Sequence, residues 1–255
     1  MAKAYVVYGD TSGQGQSGDL LCVTGVASTT SRWLKFETRW LTLLNEYGIT
    51  PPFHMTDFAN GAGQYAGFRS GEKDPSAFLS KAIKVIHLST NKCFAVSVAV
   101  DDLRDIQRIY DLPDGMNGDH PYHWCTLILY QQIKKWLEQH TGRHDRIGVV
   151  FESGDFGQRA FPQRLQELYP TIEPPDFAGK PLAPLQAADL LAYEFRKGVI
   201  YRSKGRIVRT SFSEILRRLP MDWKYYSRQH LLRLCELGRF PKRPETELQN
   251  RRRPK

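Results

Sequence analysis

The order in which patterned segments follow one another constrains this chain most. Ala4 to Tyr8 is a short run of β-branched and aromatic residues that ends in Gly9-Asp10, which predicts a strand with an acid at its C-terminal edge. A Gly- and Ser-rich turn over Thr11 to Gly18 leads into a second predicted strand, Leu20 to Ala27, and the two should form a hairpin. Phe94 to Val100 predicts a third strand, and Ile147 to Phe151 a buried-type strand ending in Glu152. Between and after them lie helical patterns: Ser31 to Tyr47, with Trp33, Phe36, Trp40, Leu43 and Leu44 at helical spacing, then Pro75 to Ser89, His120 to Glu138, Arg159 to Tyr169 and Leu185 to Tyr201. Three early strands in antiparallel order, followed by strands alternating with helices, predict an α/β domain: a mixed sheet of about five strands flanked by α-helices.

No Pro/Gly-rich linker splits this pattern, so residues 1–240 read as one domain with basic C-terminal helices, and 241–255 as a basic tail. Four cysteines, Cys22, Cys93, Cys125 and Cys235, stand far apart with no C-x-x-C pair, as expected of reduced, buried thiols in a cytoplasmic protein. No apolar run approaches the roughly 18 residues of a membrane span, and no secretory signal pattern opens the chain.

Charge is segregated along the chain. From Leu190 onward, 18 Lys and Arg stand against 6 Asp and Glu, a net of +12, whereas the first 189 residues hold 18 against 21, a net of −3. Such a patch is the footprint of a polyanion, most often nucleic acid, with a solvated surface as the plainer reading. Arg196, Lys197, Arg202, Lys204, Arg206 and Arg209 are the candidate phosphate contacts.

Three acids carry the candidate chemistry. Asp10 and Glu152 close strands, where ligands of α/β sheets collect. Asp189 sits in P-L-Q-A-A-D-L-L-A-Y-E, an apolar helix whose small Ala187, Ala188 and Ala192 let it approach a sheet closely. An acid on such a face is unfavourable unless paired or metal-bound; Arg196 is the alternative partner. Carboxylates from separate elements suit hard cations, Mg²⁺ or Mn²⁺, and two such ions about 3.5–4 Å apart can drive phosphodiester hydrolysis. His54 and Asp57, in F-H-M-T-D-F, would share a face on a helical turn; the pair could bind metal, move a proton, or make a simple hydrogen bond. Lesser candidates are Asp101, Asp102 and Asp155 as caps or solvated acids, His120 and His123 as phosphate contacts, and Tyr65, Phe68 and Arg69 as a base-stacking surface.

These residues resemble, in order, the domain of unknown function 3800 family, which is placed among RNase H-like folds. G-D-T-S-G matches that family's D-E-S-G at Asp10, Ser12 and Gly13; F-H-M-T-D matches its histidine segment at His54; V-V-F-E-S-G-D matches its later acid-bearing strand at Glu152. P-L-Q-A-A-D-L-L-A matches its signature L-Q-x-A-D-x-x-A at Gln186, Ala188, Asp189 and Ala192. Thr11 stands where the family has Glu, which puts one ligand in question. The resemblance implies an RNase H-like mixed sheet, a carboxylate-held divalent metal and nuclease activity on DNA or RNA. The alternative is a catalytically silent RNase H-like module that binds nucleic acid. A phosphate-binding ATPase is disfavoured by length and by the lack of a P-loop, and a mononuclear hydrolase by the lack of H-E-x-x-H.

Overall fold

A computed structural model of the chain describes residues 4–13, 16–112, 120–140, 146–154, 158–168 and 173–244. Asp155 and residues 245–255 of the expected tail lie outside the described residues. The strands are β1 (Ala4–Ser12), β2 (Leu20–Thr29), β3 (Lys92–Ala99), β4 (Arg146–Glu152), β5 (Asp176–Ala178) and β6 (Met221–Tyr226). The helices are α1 (Thr30–Glu46), α2 (Met55–Asn60), α3 (Ala66–Ser70), α4 (Pro75–Ser89), α5 (Val100–Ile109), α6 (Pro121–His140), α7 (Phe161–Leu168), α8 (Ala183–Ser203), α9 (Thr210–Arg218) and α10 (Arg228–Leu237).

The strands form one six-stranded sheet in the order β5-β4-β1-β2-β3-β6. β2 is antiparallel to both neighbours, and every other pairing is parallel. The fold is thus the expected RNase H-like mixed sheet flanked by helices, with six strands in place of about five. The additional edge strand, β6, comes from within the basic quarter, where only helices were expected, and pairs Cys93↔Met221 through Val98↔Tyr226 with β3.

Helices cover both faces. On one, α1 presents Trp33, Phe36, Trp40, Leu43 and Leu44 to a cluster shared with Phe78 and Ile83 of α4, Phe195 of α8 and Phe212 of α9. On the other, Tyr122, Trp124, Leu129 and Trp136 of α6 pack with Val7, Phe94, Phe151 and Leu231. Alternation along β1 therefore sends Val7 to the α6 face and its even-numbered neighbours, Val6 and Tyr8, to the α8 face. Local chemistry fixes the helix ends: Asp74 Oδ1 accepts from Ser76 N at 2.8 Å and Ala77 N at 3.2 Å, ahead of Pro75 in the first turn of α4. Residues 49–71, expected to be irregular, hold the short helices α2 and α3.

All four cysteines are buried and free, as expected. Burial pushes the Cys22 and Cys93 thiols up to about 12. Among the described residues no helix is long and apolar enough to cross a membrane.

Candidate carboxylate site

β1 and β4 run parallel, with Gly9 opposite Phe151, so Asp10 and Glu152 follow as neighbours at the C-terminal ends of adjacent strands. Strands lie about 4.8 Å apart, and matched register in a parallel pair sends both side chains to one face. Asp10 is also opposite Thr24 of β2. Thr24 Oγ1 is 3.1 Å from Ala188 O and 3.4 Å from Asp10 O, so α8 crosses the sheet where Asp10 emerges. Gly9 permits this close packing, because a Cβ there would stand 2.4 Å from the Phe151 ring and 2.9 Å from Thr24 O. Asp10 is 5% exposed and Asp189 is 6% exposed.

Asp189 has an unexpected partner. Met55 N, the first amide of α2, donates to Asp189 Oδ2 at 2.9 Å, so the acid satisfies a helix N-terminus 134 residues away. Burial holds the Asp189 carboxyl above the usual range, and the charge of Lys180, the Met55 amide and His54 work against that rise. Lys180 is the residue that sequence reasoning missed. Its Nζ lies 3.3 Å from Glu152 Oε1 and 3.9 Å from Asp189 Oδ2, so one ammonium touches carboxylates from β4 and α8. Gly179-Lys180-Pro181 has no distinguishing pattern; only proximity to the Gln186–Asp189 signature could have drawn attention to it.

Gln186 organises the surroundings. Its Oε1 accepts from Trp40 Nε1 at 2.8 Å and from Phe53 N at 2.9 Å, and its Nε2 donates to Lys180 O at 3.0 Å. The signature glutamine thus ties α1, the approach to α2 and the lysine loop to the first turns of α8. His54 precedes α2, and its Nδ1 lies 2.9 Å from Asp57 Oδ2, while its backbone amide donates to the Tyr65 hydroxyl at 3.0 Å. Since His54 and Asp57 both act electrostatically on Asp189, the pair lies beside the acid site.

Asp10, Glu152 and Asp189 therefore share one end and one face of the sheet, with His54 and Asp57 adjacent. Their donor chemistry, carboxylate oxygen, suits Mg²⁺ or Mn²⁺. Among the described residues, no three His, Cys, Asp or Glu side chains are gathered closely enough to hold an ion as they stand. Thr11 pairs with Val23 and belongs to the opposite, α6 face, where its Oγ1 is buried without a hydrogen-bond partner among the described residues.

The six basic candidates divide into three groups. Arg196 pairs with Asp19, and its Nε donates to Leu20 O at 2.9 Å, so its charge is used within the fold. Arg209 lies 3.1 Å from Glu194 Oε1, an ion pair without hydrogen-bond geometry. Lys197 stands over the Tyr193 ring and Arg202 over the Trp223 ring. Lys204 and Arg206 are exposed in the turn after α8. Tyr65 and Phe68 are buried against Phe53 and Phe58 and offer no stacking face; Arg69 is exposed. His120 Nδ1 accepts from Tyr122 N at 3.2 Å at the start of α6, and His123 is buried. Asp101 accepts from Ser17 and Gly18, and Asp102 from Arg228 N, so both hold loops and helix ends together.

No family model matches the chain, and no curated protein does. Among solved structures, a chain of the PCNA:RNase HII complex from Archaeoglobus fulgidus is similar at 15% identity, covering 88% of this chain and 96% of that one, with a TM-score of 0.40. Ribonuclease H2 from Pyrococcus horikoshii OT3 is similar at 13% identity, covering 83% and 85%, with a TM-score of 0.39. Both likenesses are distant.

Proposed function

We propose that this chain is a cytoplasmic, divalent-metal-dependent nuclease that hydrolyses phosphodiester bonds of DNA or RNA, built as a single domain of the domain of unknown function 3800 family. The observation that carries the reading is the placement of Asp10 and Glu152 side by side at paired strand ends, on the face that α8 covers with Asp189. In this reading the three carboxylates hold Mg²⁺ or Mn²⁺, which, when bound, polarises the phosphate and lowers the pKa of the attacking water. His54 holds a proton on Nδ1 toward Asp57, which leaves Nε2 as the nitrogen able to take one up. Lys204 and Arg206 supply exposed positive charge for the nucleic-acid backbone, with Lys197 and Arg202 beside them.

The test is incubation of the full chain with labelled single- and double-stranded DNA and RNA in Mg²⁺, Mn²⁺ or EDTA. Cleavage that requires the metal is expected. A second reading, a silent module that binds nucleic acid, is favoured by Thr11, which offers a hydroxyl where the family pattern has a carboxylate. Salt-sensitive binding with no cleavage in any metal would establish that second reading instead.

A further inference from the structure

We propose that Lys180 is the resident counter-cation of the Glu152–Asp189 pair, so that a divalent ion enters this site by exchange with the lysine ammonium. The inference rests on the carboxylate-metal reading above and adds to it a residue that sets how tightly the ion binds. Its starting point is the single ammonium within 3.3 Å of Glu152 and 3.9 Å of Asp189. Two carboxylates converging on a half-dry strand end repel each other unless a cation stands between them. An ammonium and a hard metal ion compete for the same oxygen lone pairs, so both cannot occupy that position.

The lysine is built to leave. Its side chain keeps 28% of its surface exposed, against 14% for Glu152 and 9% for Asp189, so its tip has a route to solvent that the acids lack. Its backbone is held in place, because Lys180 O accepts from Gln186 Nε2 at 3.0 Å. The flexible four-carbon stem can therefore swing out while the loop stays fixed. Arg196, the other basic residue expected near Asp189, is committed to Asp19 and Leu20 O and does not take over the role.

Calorimetric titration of Mn²⁺ into the metal-free full chain tests this. Lys180→Met is expected to bind Mn²⁺ at least about tenfold more tightly than the wild type, since a unit charge is removed beside the ion. Lys180→Arg should bind like the wild type, and the Asp10→Asn/Glu152→Gln double variant should not bind. Without metal, Lys180→Met should melt below the wild type, and Mn²⁺ should raise its Tm by more. Lys180→Gln replaces the methionine variant if that one does not fold. Equal Mn²⁺ affinity in wild type and Lys180→Met, with binding lost in the acid variant, would overturn the exchange and leave the metal reading standing. No Mn²⁺ binding by either protein would overturn both.

Discussion

Asp189 and Glu194 lie on the same helix, both buried, and the fold treats them differently. Glu194 is sealed: it is fully buried, Arg209 lies 3.1 Å away and Ser211 donates to it at 2.7 Å. Asp189 meets one backbone amide at hydrogen-bond distance and a lysine at the outer limit of an ion pair. Arg209 also packs over Tyr193, which ties Glu194's partner to the helix itself. The contrast separates an acid whose charge is spent on holding α9 to α8 from one whose charge remains exchangeable. Burial alone does not mark a functional acid; how firmly its partners hold it does.

The largest effect on this contrast is expected from Glu194→Ala. It leaves the Arg209 guanidinium and Ser211 without their partner, which should destabilise the fold by about 3–5 kcal/mol in urea unfolding. A loss below about 1 kcal/mol would mean the pair is not sealed. Gln186→Ala comes next: it strands the Trp40 and Phe53 donors, about 1–3 kcal/mol for each, and releases the Lys180 loop. Unchanged urea midpoints would show that the glutamine is not the organiser described above.

A pH series sharpens the comparison further. Burial holds the Glu194 carboxyl above its usual value, and Arg209, Ser211 and Lys197 only partly oppose it. The unfolded chain therefore releases this proton at lower pH than the folded one, so the residue's contribution to stability falls as pH rises from the ordinary carboxylate value through the raised one. Glu194→Gln has no such titration, so the stability advantage of the wild type over it should shrink between about pH 4 and the raised value. An advantage that grows with pH would contradict the sign. The smallest effect on stability is expected from the Lys204→Ala/Arg206→Ala double variant, within about 0.5 kcal/mol of the wild type. Its nucleic-acid affinity should nonetheless drop, with the salt slope reduced by roughly 1 per residue removed. An unchanged slope would take the turn after α8 out of the interface.

Much of the frame was legible because it is local. The periodicities of β1, β2, β3, β4, α1 and α8 are each contained in one stretch of chain, and the helical spacing of Trp33, Phe36 and Trp40 suffices to place α1. What stayed hidden depends on distant partners. β6 is six residues long, and its strand character comes from pairing with β3, far earlier in the chain. The short α2 begins on a carboxylate supplied by α8. In the site, Asp10, Glu152 and Asp189 could be named from strand ends and an anomalous acid in an apolar helix. Lys180 could not, because a lysine between Gly179 and Pro181 reads as an ordinary loop residue until the fold sets it against two acids. Arg196 shows the reverse: a basic residue in a basic region whose charge serves the start of β2.

The most direct measurement sets Asp189→Asn beside Glu194→Gln in one metal-dependent cleavage assay, with urea unfolding of both. Asp189→Asn should lose about 10²–10³ in cleavage rate while staying within about 1 kcal/mol of wild-type stability, since asparagine still accepts from Met55 N. Glu194→Gln should unfold earlier yet cleave at the wild-type rate. If the two variants cleave alike, whether both active or both inactive, Asp189 is one more buried acid of the fold and the nuclease reading built on it is wrong.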